Sequence, residues 1–211
     1  MKAAFYTFGC KVNQYETQAL IGAFLADGFQ IGGMQEACDV YVVNSCTVTA
    51  EGDAKVRKLL RRLRREHPQA LLALTGCYAQ AFPDIAALVP EADVITGARD
   101  RAALLPAVRR ALAERTRVVD VTPHVPGEAY EPMRADVFLD RDAHQRTRAF
   151  VKIQDGCERR CAYCLIPTAR GPFRSKPLAD IEEEFAALSR RGCPEAVLVG
   201  INLSCYGIDC G

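Results

Sequence analysis

Two groups of three cysteines are the residues whose types and spacing point to chemistry. Cys157, Cys161 and Cys164 stand within eight consecutive positions, directly after an apolar run. Thiolates are the standard ligands of iron–sulfur clusters, and a short irregular loop can turn three of them toward one cluster. Three ligands for four irons leave one iron open, and an open metal position can bind a substrate. Gly156 permits the tight turn that leads into this loop.

A structural zinc site, or thiols with no shared role, would be the alternative for this loop. Zinc in structural sites takes four ligands, most often as two pairs. The remaining cysteines nearby, Cys193, Cys205 and Cys210, are scattered, and no histidine follows at a suitable spacing. The spacing therefore favours an iron–sulfur cluster.

The second group, Cys10, Cys46 and Cys77, is widely spaced in sequence but shares one predicted structural position. Each cysteine follows a predicted parallel strand, after Gly9, Ser45 and Gly76 respectively. Loops at the carboxyl ends of parallel strands line the ligand crevice of an open α/β sheet, so three thiols there can converge. Cysteine is also a common small core residue, which is the alternative. We favour a shared site because all three lie outside the apolar runs.

The elements that must position these cysteines alternate along the first 120 residues. Short apolar runs predict strands at 3–8, 39–44, 71–75 and 94–95, and helical periodicity predicts helices at 17–27, 51–66 and 101–114. Such alternation is typical of a parallel sheet with helices on its faces. The fold class expected is α/β, with an open parallel-sheet (Rossmann- or flavodoxin-like) domain first.

A break in this rhythm divides the chain. Residues 122–145 contain Pro123, Pro126, Gly127 and Pro132 among scattered charges, which predicts a linker. A strand at 149–154, a helix at 180–191 and a strand at 196–199 then begin a second α/β unit. We therefore expect domains at 1–121 and 146–211 joined by a linker at 122–145. The second is below the usual domain size, so it looks cut short.

Composition restricts the class of protein. The chain has 211 residues, ten cysteines and a formal net charge of +1, so its overall charge favours no particular partner. It lacks a run of about 18 apolar residues that would predict a membrane span, and its start does not match a signal peptide. In a cytoplasmic protein, the location we expect here, many cysteines indicate metal ligands or catalytic thiols rather than disulfides.

The loop with Cys157, Cys161 and Cys164, in which an aromatic residue precedes the third cysteine, resembles the signature of radical S-adenosylmethionine (SAM) enzymes. The resemblance implies a partial (β/α) barrel that begins with this strand. It also implies a [4Fe–4S] cluster whose open iron chelates SAM, and a 5′-deoxyadenosyl radical formed by reductive cleavage. Tyr163 matches the aromatic position expected beside the adenine of SAM.

Residues 7–16, 43–49 and 75–80, which contain the other three cysteines, resemble the amino-terminal domain of the methylthiotransferases. That family couples such a domain to a radical SAM barrel. The resemblance implies that Cys10, Cys46 and Cys77 hold a second [4Fe–4S] cluster, which takes part in delivering the methylthio group. It further implies reduced ferredoxin or flavodoxin as electron donor, and it leaves the oligomeric state open.

Residues 8–16 and 166–175 resemble the branch that methylthiolates C2 of N6-threonylcarbamoyladenosine at position 37 of transfer RNA. The branches acting on isopentenyladenosine in transfer RNA and on a ribosomal protein side chain are the alternatives. The family also carries a small RNA-binding (TRAM-type) domain after the barrel, and we expect both it and most of the barrel to be missing here. A truncated, inactive cluster-carrying or RNA-binding remnant is a further alternative.

Other polar residues give weaker signals. The helix near Lys55 carries seven basic residues and is either a solvated face or a phosphate-contacting surface for RNA. Arg170 and Arg174 suit the SAM carboxylate, RNA phosphate or ordinary salt bridges equally. Cys38, Cys193, Cys205 and Cys210 match no ligand position and are taken as structural or incidental.

Overall fold

A computed structural model describes residues 1–135 and 148–210. The amino-terminal unit is an open sheet in which all pairings are parallel, in the order β2-β1-β3-β4-β5-β6. Its strands are β1 (Lys2–Thr7), β2 (Gln30–Gly32), β3 (Val40–Ser45), β4 (Leu71–Gly76), β5 (Val94–Thr96) and β6 (Val118–Asp120). Its helices are α1 (Lys11–Ala26), α2 (Ala50–Glu66), α3 (Cys77–Ala81), α4 (Ile85–Leu88) and α5 (Leu104–Glu114). The predicted α/β class with an open parallel sheet is confirmed.

The central strands β3 and β4 are buried along their whole length because helices cover both faces of the sheet. Alternate residues of β3 belong to different cores. Val40 and Val42 pack with α1 and α5, while Tyr41 and Val43 pack with α2 and α3. The register of β3 with β4 runs from Val40 opposite Leu71 to Ser45 opposite Gly76, so the two strands end level with each other.

Helix α2 shows how the sequence pattern sets the packing. Val56, Leu59, Leu60 and Leu63 recur at helical spacing and are all buried against the sheet. Thr49 caps the helix, since its side-chain oxygen accepts a hydrogen bond from the backbone amide of Gly52 at 3.1 Å. Among the described residues, no helix is long and apolar enough to cross a membrane.

The second unit contains β7 (Ala149–Lys152), β8 (Gln154–Asp155), α6 (Ile166–Arg170), β9 (Arg174–Ser175), α7 (Leu178–Arg190) and β10 (Ala196–Val199). Strands β7 and β10 pair in parallel, with Val151 opposite Leu198, while β8 pairs with β9 in antiparallel fashion. Helix α7 buries Ile181 and Leu188 against β7. This parallel strand–helix–strand arrangement is the repeating unit of (β/α) folds.

The described part of the expected linker, residues 122–135, is packed between the two units. Met133 and Ala135 are buried, and the carbonyl of Met133 accepts a hydrogen bond from the Tyr15 hydroxyl at 2.6 Å. The Tyr130 hydroxyl donates to the carbonyl of Lys152 at 2.9 Å. The remainder of the predicted linker lies among residues 136–147, outside the described residues.

Element boundaries shift from the predicted ones mainly at the helix starts. Helix α1 begins at Lys11 rather than at Thr17, because polar Asn13 and Glu16 are buried inside the protein and do not mark an exposed turn. Strands β2 and β6, each three residues long, were not predicted. They are edge strands whose short runs carry too little periodicity to identify them.

Candidate functional site

Cys10, Cys46 and Cys77, here called the amino-terminal cysteine group, lie at one edge of the sheet. Cys10 precedes the first residue of α1, Cys46 follows β3 directly, and Cys77 is the first residue of α3. Since β1, β3 and β4 are adjacent parallel strands, their carboxyl ends meet at the same edge. A Cβ atom added to Gly9 would stand 2.7 Å from the Cys46 sulfur, so the Cys46 thiol packs directly over the residue before Cys10.

Asn13 fixes the turns that carry two of these thiols. Its side-chain amide donates hydrogen bonds to the carbonyls of Phe8 and Ser45, both at 2.9 Å. Its side-chain oxygen accepts a hydrogen bond from the Cys10 thiol at 3.7 Å. One buried side chain therefore ties the end of β1 to the end of β3 and holds Cys10 beside them.

Burial controls the ionisation of this group. Cys77 is only 3% exposed, and burial raises the pKa of its thiol to about 11. Burial also raises the pKa of Cys46, and the neighbouring Cys10 raises it further. The guanidinium of Arg170 acts in the opposite sense on both thiols. Metal binding at this group must therefore displace protons from thiols that burial keeps neutral.

Cys157, Cys161 and Cys164, the loop cysteine group, lie in the irregular segment between β8 and α6. The backbone amide of Cys157 donates to the carbonyl of Gly171 at 3.0 Å, and that of Cys164 donates to the carbonyl of Cys161 at 3.0 Å. Cys161 is exposed, whereas Cys157 and Cys164 are half-buried. Tyr163 points into solvent with 90% of its surface exposed.

Gly156 starts this loop in a conformation that requires glycine. Its φ is +72°, and a Cβ atom there would overlap the carbonyl oxygen of Pro172. A side chain is thus excluded both by the backbone conformation and by the close approach of the segment after α6.

One cysteine of each group lines the same cavity. A cavity of about 330 Å³ is lined by Cys77 from one group and Cys164 from the other. Tyr163, Phe82 and Asp53 also line it. Helix α3, which begins at Cys77, packs directly on α6, which follows Cys164. The fold therefore brings together Cys77 and Cys164, two thiols that are far apart in sequence.

The donor set fits iron–sulfur chemistry. Each group offers three thiols, the ligands that hold cubane clusters. Within residues 1–135 and 148–210, no three Cys, His, Asp or Glu side chains lie close enough to hold a single metal ion. His67 stacks on Tyr41 and His124 bonds to Glu128, while His144 lies outside the described residues.

Asp53 adds an unsatisfied acceptor to the cavity wall. One of its carboxylate oxygens accepts a hydrogen bond from the Thr47 hydroxyl at 3.2 Å, and the other is buried without a partner. Burial raises the pKa of this carboxyl group. A buried acceptor without a donor is costly, which agrees with the raised pKa of this carboxyl group.

A network of buried charges behind the cysteines was not foreseen from the sequence. Glu16 accepts hydrogen bonds from Arg101 at 2.5 Å, Lys152 at 3.0 Å and Arg170 at 2.9 Å. Arg170 and Lys152 also pair with Asp155, at 2.9 and 3.1 Å. Although burial opposes it, these cations hold the pKa values of Glu16 and Asp155 below their usual range. Glu16 and Arg101 belong to the amino-terminal unit, and Lys152, Asp155 and Arg170 belong to the second unit. The network therefore connects the two units through buried ion pairs.

The arginines considered for ligand binding are thus structural partners within the protein. Arg170 is buried in the network above, and Arg174 is buried against Glu128 and Asp155. The sequence contains no charge run or motif that predicts this network, because Glu16 resembles an ordinary residue on a helix surface. Only the structure shows that Tyr15 and Glu16 are both buried and place polar atoms on the packed side of α1.

The basic residues of α2 mostly bind to the protein itself. Arg57 donates to the Tyr78 hydroxyl at 2.7 Å, Arg64 pairs with Asp93 at 2.5 Å, and Lys55 pairs with Glu51 at 2.7 Å. These contacts favour the structural interpretation of this helix over a phosphate-binding surface.

Comparison with known proteins supports the resemblance seen in the sequence. Residues 2–97 match the family described as "Uncharacterized protein family UPF0004". The chain is 38% identical over 206 residues to the threonylcarbamoyladenosine tRNA methylthiotransferase MtaB of Bacillus subtilis, covering 98% of this chain and 45% of that protein. It is 30% identical over 210 residues to the tRNA-2-methylthio-N(6)-dimethylallyladenosine synthase of Pelotomaculum thermopropionicum, covering 97% of this chain and 46% of that protein. The chain spans about half the length of these relatives.

A solved structure supports the fold. The radical S-adenosylmethionine methyltransferase TsrM of Kitasatospora setae, with tryptophan substrate and a SAM analogue bound, superimposes with a TM-score of 0.60 at 15% identity. The match covers 99% of this chain and 49% of that one. At this identity the similarity concerns the arrangement of strands and helices.

Proposed function

We propose that this chain, which is similar over nearly its whole length to methylthiotransferases, carries the cluster-binding part of a radical SAM tRNA methylthiotransferase. The reaction proposed is addition of a methylthio group to C2 of N6-threonylcarbamoyladenosine at position 37 of transfer RNA. The observation that carries the proposal is the shared cavity, because it places Cys77 and Cys164 around one space.

Cys157, Cys161 and Cys164 are proposed to hold the [4Fe–4S] cluster that binds SAM. When bound, that cluster supplies the electron that cleaves SAM to a 5′-deoxyadenosyl radical. The loop can supply three thiolates and leave one iron open. Tyr163 is proposed to contact the adenine of SAM, and its exposed ring beside the cavity is available for stacking.

Cys10, Cys46 and Cys77 are proposed to hold a second [4Fe–4S] cluster that serves sulfur delivery. Cys46 and Cys77 are buried at the sheet edge, Cys10 is exposed, and Cys77 also lines the cavity, so these three thiols would hold a cluster at the boundary between core and surface.

The proposed domains are the amino-terminal unit at 1–121 and the start of the radical SAM unit at 146–211, with a connection at 122–145. Their separate sheets support this division. The packing of residues 122–135 against both units indicates that the connection also stabilises their contact.

Transfer RNA is the proposed substrate, reduced ferredoxin or flavodoxin the proposed electron donor, and the cytoplasm the proposed location. Isopentenyladenosine in transfer RNA is an alternative acceptor, because one relative is named as a tRNA-2-methylthio-N(6)-dimethylallyladenosine synthase. A ribosomal protein side chain is another alternative, because a relative 30% identical to this chain is named as a ribosomal protein uS12 methylthiotransferase. A cluster-carrying remnant without activity competes with all three enzymatic functions.

The decisive experiment supplies the complete, anaerobically reconstituted protein with SAM, a reductant and one acceptor at a time. Transfer RNA carrying N6-threonylcarbamoyladenosine should gain the mass of a methylthio group in place of one hydrogen, and 5′-deoxyadenosine should form. Transfer RNA carrying isopentenyladenosine and the ribosomal protein should remain unchanged. Tetrahedral zinc as the only tightly bound metal would refute the proposal at its first step.

A further inference from the structure

Arg170 belongs to the radical SAM unit but reaches into the amino-terminal unit. It is the last residue of α6, and its side chain is 1% exposed. The guanidinium donates to the side-chain oxygen of Asn13 at 2.5 Å and to the two carboxylate oxygens of Glu16 at 2.9 and 3.1 Å. The paired contact with Glu16 fixes the plane of the guanidinium, and the contact with Asn13 fixes its direction.

Asn13 connects this guanidinium to the amino-terminal cysteine group. The oxygen that accepts from Arg170 also accepts from the Cys10 thiol, while the amide of Asn13 holds the carbonyls of Phe8 and Ser45. Those carbonyls lie just before the turns that carry Cys10 and Cys46. Arg170 therefore fixes Asn13 by a hydrogen bond, and Asn13 in turn positions Cys10 and Cys46.

The charge of Arg170 also lies close to the amino-terminal cysteine group. Its buried guanidinium and the Cys10 thiol donate to the same oxygen of Asn13, at 2.5 and 3.7 Å. A cluster binds thiolates rather than thiols, so a fixed cation beside them favours the loaded state. The effect is strong here because the site is shielded from water.

We propose that Arg170 is a positioning residue by which the radical SAM unit completes the amino-terminal cysteine group, its cation stabilising the thiolates and the anionic cluster they hold. The inference rests on the proposed function, because it assumes a cluster at Cys10, Cys46 and Cys77. Because Arg170 contacts both units, binding of that cluster should favour docking of the units, and docking should favour binding of the cluster.

The test measures the reduction potential of the amino-terminal cluster alone. Alanine at Cys157, Cys161 and Cys164 leaves one cluster site in the 211-residue chain, and this variant is the parent. Arg170→Gln removes the cation but keeps a side-chain amide, so reduction should become at least tenfold less favourable, a shift of about 59 mV to lower potential for one electron. Glu16→Gln leaves Arg170 less neutralised and should shift the potential upward.

Arg174→Gln is the matched control, because Arg174 is a buried arginine four residues away that pairs with Glu128 and Asp155. It should shift the potential much less than Arg170→Gln. Arg170→Lys, which keeps the charge, should stay close to the parent. These opposite and charge-dependent shifts would not arise from a general loosening of the fold.

The outcomes separate this inference from the proposed function. If the parent takes up no four-iron cluster, the proposed function fails. If it does and the Arg170 and Glu16 variants shift the potential in the same direction or not at all, the role of Arg170 is refuted. Should Arg170→Gln fail to fold, the sign of the Glu16→Gln shift decides, and a downward shift overturns the inference.

Discussion

The two cysteine groups are held in contrasting ways. Cys46 and Cys77 are buried at the ends of adjacent strands, where sheet hydrogen bonds and Asn13 fix the backbone. The loop group instead lies in an irregular segment with an exposed Cys161. A site built on a sheet edge is set before any ligand binds, whereas a loop site takes much of its order from the ligand. Sulfur delivery and radical generation would thus rest on supports of different stiffness.

The largest expected effect follows from removing the loop cysteine group in the complete protein. Alanine at Cys157, Cys161 and Cys164 should lower the iron content of reconstituted protein by about half, because three of six ligands are lost. Both SAM cleavage and methylthio transfer should disappear, since the open iron is the proposed site of SAM binding. Iron analysis and detection of 5′-deoxyadenosine measure this.

A matched control uses thiols outside both groups. Serine at Cys193, Cys205 and Cys210 should leave the iron content unchanged, because these thiols belong to neither cysteine group. A comparable loss of iron in this control would mean that the cluster ligands have been assigned incorrectly.

Removing the amino-terminal cysteine group should separate the two functions. With alanine at Cys10, Cys46 and Cys77, iron should again fall by about half and methylthio transfer should be lost. SAM cleavage should remain measurable, because the loop group is complete without them. Circular dichroism must first show that the variant is folded, since the loss of a cluster can unfold its domain. A folded variant that still transfers the methylthio group at the normal rate would return these cysteines to the role of small residues at strand ends.

A smaller effect is expected from Gly156→Ala, which tests how the loop group is supported. The new methyl group would overlap the Pro172 carbonyl, so the loop must move and the loop cluster should be lost or weakened. The electron paramagnetic resonance signal of the reduced loop cluster should decrease, while that of the amino-terminal cluster stays the same.

Gly207→Ala provides the control for backbone strain alone. Gly207 has a similar φ of +85°, but an added Cβ atom meets no other atom within 4 Å. Its cost should be about 1–2 kcal/mol of stability, without loss of either cluster signal. Equal behaviour of the two variants would show that strain, not the contact with Pro172, explains the effect at Gly156.

The sequence predicted the elements that carry long periodic patterns. The buried run of β3 and the amphipathic pattern of α2 lie within one residue of their predicted bounds. Both elements are specified locally, by apolar residues whose spacing matches a strand or a helix. The placement of Cys10, Cys46 and Cys77 at one edge of the sheet follows from the same logic, because it needs only parallel strands that end level with one another.

Features that depend on distant neighbours were not predictable in this way. The burial of Glu16 depends on cations from α6, β7 and the segment before α5, which the sequence does not place together. Arg170 could be read equally as a ligand-binding or a surface residue until its partners were known. The fixed position of residues 122–135 likewise depends on contacts with Tyr15 and Lys152 rather than on their own composition.

The smallest expected effect concerns acid stability and His124, which lies beside the loop group. Burial, assisted by Arg174, lowers the pKa of His124 to about 4. The unfolded chain has the ordinary value near 6.5, so between these values the unfolded state binds more protons than the folded state. Stability from this group is therefore complete above about pH 6.5 and decreases as the pH falls toward 4.

Glu16 and Asp155 act in a lower window. Their pKa values are depressed by cations, so their contribution is lost only below about pH 4, where the unfolded carboxyl groups protonate. His124→Gln should flatten the pH dependence of the unfolding free energy between 6.5 and 4 and leave the decline below 4 intact. Urea unfolding of the metal-free chain at a series of pH values measures both windows. An unchanged slope above pH 4 in the variant would show that a group other than His124 causes the acid sensitivity in this window.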